Sequence, residues 1–68
     1  MKHIELWAFL KIRGVVSTQG QAKELIRSGV VKVNGEEETR VRKKLVERDK
    51  VECEGETFVV KEEELRME

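Results

Sequence analysis

The sequence contains no proline and no tyrosine, and it has a single cysteine and a single histidine. Because Cys53 has no second cysteine to pair with, a disulfide framework and a four-cysteine zinc site are both excluded. A lone cysteine also fits a reducing compartment. Without proline, a linker or a low-complexity segment, nothing in the 68 residues marks a boundary between domains. These absences predict one small domain with a single modest core.

Long apolar runs are also missing. They fall far short of the roughly 20 residues that a helix needs to cross a bilayer. The first residues do not show the basic, apolar and small-residue order of a secretory leader. We therefore expect a cytoplasmic protein without a membrane partner. No cofactor is implied, because the chain has neither a glycine-rich phosphate loop nor the spacing of metal ligands.

Catalytic chemistry has few candidate residues. His3 is the only histidine, and we expect it near a mobile terminus, where a general base is poorly placed. Cys53 lies in an alternating pattern that favours a small core residue over a nucleophile. Glu36, Glu37 and Glu38 fit a solvated strand and turn better than a catalytic pair of carboxylates. We predict that the chain is not an enzyme.

Charge is abundant but balanced, with 14 basic and 14 acidic side chains that make up 41% of the chain. The balance hides a segregation. Residues 1–35 carry six basic and two acidic side chains, whereas residues 45–68 carry four basic and nine acidic ones. A chain with this dipolar pattern can present a basic face to a polyanion while its overall charge stays at zero.

The apolar residues are periodic, which indicates an ordered chain and two helices near its start. The first is expected over about residues 5–13, where Leu6, Phe9 and Leu10 share one side and Gly14 suits a left-handed stop.

The second helix has the clearest boundary signals. Thr18 can cap it, and Gln21 three residues later completes a capping box, with Ser17 as an alternative cap. Gly29 ends it. Its apolar face consists of Ala22, Leu25 and Ile26.

The rest of the chain is predicted to form a small sheet. Residues 30–33 and 36–41 flank Asn34-Gly35, a strong signal for a two-residue hairpin turn. Two further strands are expected at residues 50–53 and 56–60. The sequence thus predicts an α+β domain over residues 1–60, with two N-terminal helices packed on a mainly antiparallel sheet. Residues 61–68 are expected to form a charged tail, either a helical turn or frayed.

Basic and polar side chains recur around the second helix and the hairpin. The free N–H groups and the positive dipole end of a helix attract phosphate. If the hairpin packs beside the helix, these side chains form one concave basic surface; otherwise they are scattered and solvated. The candidate contacts are Lys11, Arg13, Thr18, Gln19, Gln21, Lys23, Arg27, Lys32, Arg40, Arg42, Lys43 and Lys44.

Trp7 has two interpretations. Its indole can complete the core, or it can offer a face on which a nucleic-acid base stacks. Packing is favoured, because tryptophan more often fills a core than stacks on a base.

The order of these elements resembles the S4 (S-four) domain, the RNA-binding module named after small-subunit ribosomal protein four. The family pattern is a helix, a glycine, a capped helix with an alanine, a glycine, a V-x-V-N-G hairpin and an aspartate before a late strand. The resemblance spans about residues 4–54 and is carried by residues 6–11, Gly14, residues 18–26, Gly29, residues 31–35 and residues 49–51. It implies the alpha-L RNA-binding fold and RNA binding through the second helix and the following hairpin.

Within that family, the chain is most similar to small stand-alone bacterial proteins of the YaaA/YbcJ type, through G-Q-A-K at residues 20–23 and E-T-R-V-R-K-K-L at residues 38–45. It departs from the family at Glu5-Leu6-Trp7, where many members have Arg-Leu-Asp, and at Thr18-Gln19, where serine-arginine is common. Arg48 replaces a glycine before Asp49, which should alter that turn.

The sequence and the resemblance together predict a non-catalytic monomer that binds structured RNA. Ribosomal RNA is the expected class, and ribosomal proteins are further candidate partners. The alternative is a protein-interaction module that uses its acidic C-terminal region or an open sheet edge.

Overall fold

The structure is a computed structural model that describes residues 2–67, with Met67 by its backbone alone. The two helices are α1 (Leu6–Ile12) and α2 (Gln19–Arg27). The strands are β1 (Lys2–Glu5), β2 (Lys32–Val33), β3 (Glu36–Glu37), β4 (Lys44–Leu45), β5 (Lys50–Cys53), β6 (Glu56–Val59) and β7 (Arg66–Met67), with a 3-10 turn at Glu62–Glu64 between the last two.

The strands form two small sheets. In one, β1 lies between β4 and β7; in the other, the order is β3, β2, β5, β6. All of these pairings are antiparallel. The α+β class, with two helices and a mainly antiparallel sheet, is therefore confirmed. Three short strands that the sequence pattern did not reveal, β4, β1 and β7, form the additional sheet.

The core lies between the helices and both sheets. Leu6, Phe9 and Leu10 of α1 are fully buried, as are Ala22 and Ile26 of α2. Each large apolar side chain removed from water contributes roughly 1.5–3 kcal/mol. The sheets and loops add Ile4, Val31, Val33, Leu45, Val51, Cys53 and Val60.

Local signals place the helix ends correctly. Gly14 follows α1 with φ +78°, and Gly29 follows α2 with φ +85°, so both occupy the left-handed conformation that glycine adopts without strain. A side chain at Gly29 would also press against Glu37, because a Cβ there would lie 3.2 Å from a carboxylate oxygen. The end of α2 therefore packs beside the hairpin.

The hairpin turn has the predicted geometry, with φ +53° at Asn34 and +86° at Gly35. Its strands are shorter than expected: the ladder pairs only Lys32 with Glu37 and Val33 with Glu36. The prediction of a strand over residues 36–41 is wrong, because the chain turns away after Glu38 to reach the start of α1.

A second turn, at residues 46–49, is tied to the hairpin tip. The side-chain nitrogen of Asn34, Nδ2, donates to Asp49 Oδ1 at 3.1 Å, and the Lys50 backbone amide donates to the Asn34 side-chain oxygen at 2.9 Å. The other Asp49 oxygen accepts from the Val46 amide at 2.9 Å. Arg48 has φ +76°, so it takes up the left-handed conformation in which the family favours glycine.

The segment expected as a charged tail contains the 3-10 turn and β7, while Glu68 lies outside the described residues. Arg13 holds this segment against the domain. Its guanidinium donates to both carboxylate oxygens of Glu64, at 2.6 and 3.0 Å, and to the Val59 carbonyl at 2.7 Å. It also lies 5.1 Å from the centre of the Phe9 ring.

The two residues with catalytic potential both lie in the interior. His3 is only 5% exposed, so its expected position near a mobile terminus is wrong: β1 is held between two partner strands. Cys53 is buried in the core, as its alternating pattern predicts, and this burial raises the pKa of its thiol.

Replacing Gly35 with Val should destabilise the domain by roughly 1 kcal/mol or more, because a β-branched residue resists positive φ. No atom lies within 4 Å of a Cβ built there, so backbone strain alone is tested. Gly20→Ala is the control: Gly20 lies in α2 without positive φ, so alanine should stabilise by roughly 0.5–1 kcal/mol. Thermal unfolding measures both, and an unchanged melting temperature for Gly35→Val would contradict the turn assignment.

The ion pair between Arg13 and Glu64 should make stability depend on acidity. The hydrogen bond from Arg13 lowers the pKa of the Glu64 carboxyl below its usual 4.5. A carboxyl with a lower pKa in the folded state stabilises it at higher pH, and that contribution is lost as pH falls through the folded-state value. Glu64→Gln should therefore cost about 1 kcal/mol or more at pH 7, with the difference from the parent protein shrinking below pH 4.5.

The control is Glu56→Gln, because Glu56 is exposed and forms no ion pair among residues 2–67. Urea unfolding at several pH values measures both variants. A constant gap between the parent protein and Glu64→Gln across the acidic range would contradict the pairing.

Candidate nucleic-acid interface

The start of α2 is capped as its sequence indicates. The Thr18 hydroxyl accepts a hydrogen bond from the Gln21 amide at 3.1 Å, so Thr18 and not Ser17 is the cap. The second hydrogen bond of the expected capping box forms one residue earlier: the Gln21 side chain accepts from the backbone amide of Ser17, at 2.8 Å, instead of that of Thr18. Thr18, Gln19 and Gln21 are all exposed, and the first turn carries no acidic residue.

Lys23 and Arg27 project from one exposed flank of α2. They are four residues apart, and Ala22 and Ile26 beside them face the core. Neither cation has a carboxylate partner within the described part of the chain. This flank is therefore free to meet an anion.

Four further cations come together in what we call the basic loop, residues 40–44. Among the residues that the structure describes, one surface depression is lined by Arg40, Arg42, Lys43 and Lys44 alone. The backbone of the loop is fixed to the start of α1: the Leu6 amide donates to the Lys43 carbonyl at 2.9 Å, and the Trp7 amide donates to the Val41 carbonyl at 3.1 Å. The structure thus brings four of the candidate residues together.

Two carboxylates support the arginines of the basic loop. Glu38 accepts from the Arg40 amide at 3.0 Å and from two nitrogens of its guanidinium at 2.9 and 3.1 Å. These hydrogen bonds lower the pKa of Glu38, which is therefore ionised at neutral pH. Glu5 accepts from the Trp7 indole at 2.7 Å and lies 4.0 Å from the Arg42 guanidinium.

The remaining candidate residues are distributed over the molecule. Lys11 is exposed at the end of α1, and Lys32 is exposed on β2. Arg13 differs from the other cations, because its guanidinium is held by Glu64 and stacks near Phe9. Trp7 packs against the core with its indole N–H occupied, which confirms the packing interpretation.

Sequence reasoning missed the supporting role of Glu38. It treated Glu36, Glu37 and Glu38 as one solvated set, and this holds only for the first two. The Glu38 side chain is 12% exposed and pairs with Arg40. An acid two residues before an arginine indicates that the two side chains can pair. In a run of three acids, however, the sequence does not reveal which one pairs with the arginine.

Comparison with known proteins gives a family. The family model for the S4 domain matches residues 1–61, which is most of the chain. No curated protein and no solved structure matches the chain at a significant level. Within residues 2–67, no helix has the length and apolar character that crossing a membrane requires. S4 domains are generally RNA-binding and typically non-catalytic. With its two helices, its antiparallel strands and a match over nearly all of its length, the chain belongs to the S4 domain family.

Proposed function

We propose that this protein binds structured RNA, with ribosomal RNA as the expected class, through the exposed flank of α2 and the basic loop. The observation that carries the proposal is the depression lined by Arg40, Arg42, Lys43 and Lys44. A concave site bordered by four cations has the charge and shape to receive a phosphate group.

The position of the hairpin supports one continuous surface. Gly29, at the end of α2, lies against the Glu37 side chain, and the chain then passes through Glu38 directly into the basic loop. Arg27 is two residues before Gly29, so it lies at the end of α2 that is nearest the hairpin. The exposed start of α2 adds free backbone N–H groups, which favour a phosphate.

The chemistry of these side chains favours recognition of shape over sequence. Lys43 and Lys44 can each offer a point charge to a phosphate, while Arg40 has two guanidinium nitrogens already bonded to Glu38. Contacts to phosphates position a protein on RNA without reading its bases.

From the sequence and its resemblance, we further propose a non-catalytic role in the cytoplasm for a monomer of the YaaA/YbcJ type, with ribosomal proteins as candidate neighbours. Arg13 drops out of the proposed contacts, because its guanidinium holds the C-terminal segment. The other candidate cations remain.

Salt dependence tests this proposal. Each phosphate contact releases counterions, so log affinity should fall linearly with log salt, with a slope of about −0.7 to −0.9 per contact. We expect on the order of four to six contacts. Replacing Lys23 and Arg27 together with Ala should flatten the slope by roughly 1 to 2 units and weaken binding about equally across RNA sequences. Fluorescence anisotropy with folded ribosomal RNA fragments and with transfer RNA measures both effects.

The matched control replaces Lys61 and Arg66 with Ala. Both residues are exposed and lie outside the proposed surface. Replacing them removes two positive charges, as the Lys23 and Arg27 double variant does. Binding should change little. Equal loss in the two double variants would mean that only net charge matters. If the parent protein binds no structured RNA even at low salt, the proposal fails, and a protein-interaction role through the acidic C-terminal region or the edge of β6 becomes the better explanation.

A further inference from the structure

We propose that Glu38 is a positioning residue for RNA binding, which holds Arg40 so that the basic loop meets phosphate in a single arrangement. This inference rests on the proposed function. It assigns a favourable role to an acidic residue on a surface that binds a polyanion.

The Glu38 side chain is largely covered, while its partner Arg40 faces solvent. The Glu38 side chain is 12% exposed, and its two oxygens accept three hydrogen bonds from Arg40, at 2.9, 3.0 and 3.1 Å. The Arg40 side chain remains 71% exposed and borders the depression of the basic loop. Glu38 therefore fixes one edge of the guanidinium and leaves the rest of it available to a ligand.

Glu38 also joins two rigid parts of the fold. Its amide donates to the Val31 carbonyl at 2.9 Å, which anchors it beside β2. At the other end of the loop, the Val41 and Lys43 carbonyls accept from the first amides of α1. Four cations within five residues repel one another, and the carboxylate of Glu38 offsets part of that repulsion at Arg40. The loop is thus held in place before any RNA arrives.

Two effects of removing this carboxylate oppose each other. Simple electrostatics predicts tighter RNA binding, because one negative charge is lost and the freed Arg40 edge could grip a phosphate. The geometry predicts weaker binding, because the Arg40 side chain would have to be ordered when the RNA binds. Ordering one long side chain on binding weakens affinity roughly two- to tenfold, whereas one solvent-screened charge has a smaller effect. We therefore expect the loss of order to dominate.

The test compares Glu38→Gln with Glu47→Gln in the full chain, using the same folded ribosomal RNA fragment. Glu47 is exposed in the turn at residues 46–49 and forms no ion pair among the described residues, so both variants change charge equally. Glu38→Gln should weaken binding roughly fivefold. Glu47→Gln should leave binding unchanged or slightly tighter.

Arg40→Lys provides a second, independent variant. Lysine keeps the positive charge but cannot form the two-nitrogen contact with a carboxylate. It should weaken RNA binding about as much as Glu38→Gln does. The two changes combined should be no worse than either alone, because both break one interaction. Additive losses would show that the two residues act separately, which would overturn the proposal.

Amide hydrogen exchange in the free protein separates positioning from general stability. The amide of residue 40, which donates to the Glu38 carboxylate, should exchange faster in Glu38→Gln and in Arg40→Lys, whereas the buried amides of α1 and β5 should keep their protection. If the parent protein binds RNA and Glu38→Gln binds as tightly as Glu47→Gln or tighter, the positioning role is wrong and the proposed function stands. If the parent protein binds no structured RNA, both are wrong.

Discussion

The start of α1 depends on hydrogen bonds from a distant part of the chain. Glu5 precedes the helix without a side-chain cap, and the Leu6 and Trp7 amides donate instead to carbonyl oxygens of the basic loop. A helix terminus that lacks such partners is costly, because its first N–H groups have none within the helix. This contact sets the position of the loop and leads directly into the pairing of β1 with β4. One pair of hydrogen bonds therefore connects three parts of the fold: α1, the sheet of β4, β1 and β7, and the proposed RNA surface.

The positive side chains of this small domain have different structural roles. Arg13 connects α1 to the C-terminal segment through Glu64, whereas Arg40 borders an open depression. Lys23 and Arg27 are exposed on a helix flank without a carboxylate partner among residues 2–67. Charge alone does not distinguish these uses, because each depends on where the neighbouring acid lies in the fold. Zero net charge is thus compatible with an anion-binding surface.

Sequence reasoning succeeded where the signal is local. The cap at Thr18, the glycine stops after both helices and the Asn34-Gly35 turn each depend on residues within a few positions of one another, and all were predicted correctly. It failed where the partner is remote. The strands β1, β4 and β7 have two to four residues each and pair across most of the chain, so no periodic pattern marks them. Glu38 is a different case: its partner Arg40 is only two residues away, but a run of three acids does not reveal which of them pairs with the arginine.

The pairing of β1 with β7 also constrains how the chain folds. Lys2 lies opposite Met67, so the second sheet cannot be completed until residue 67 has been synthesised. The helices and the hairpin, whose contacts are local, can form earlier. Closing a loop of this length slows folding more than it lowers stability, because the entropic cost grows only with the logarithm of loop length. The pairing of β1 with β7 is therefore the contact of greatest sequence separation in the sheets of this domain.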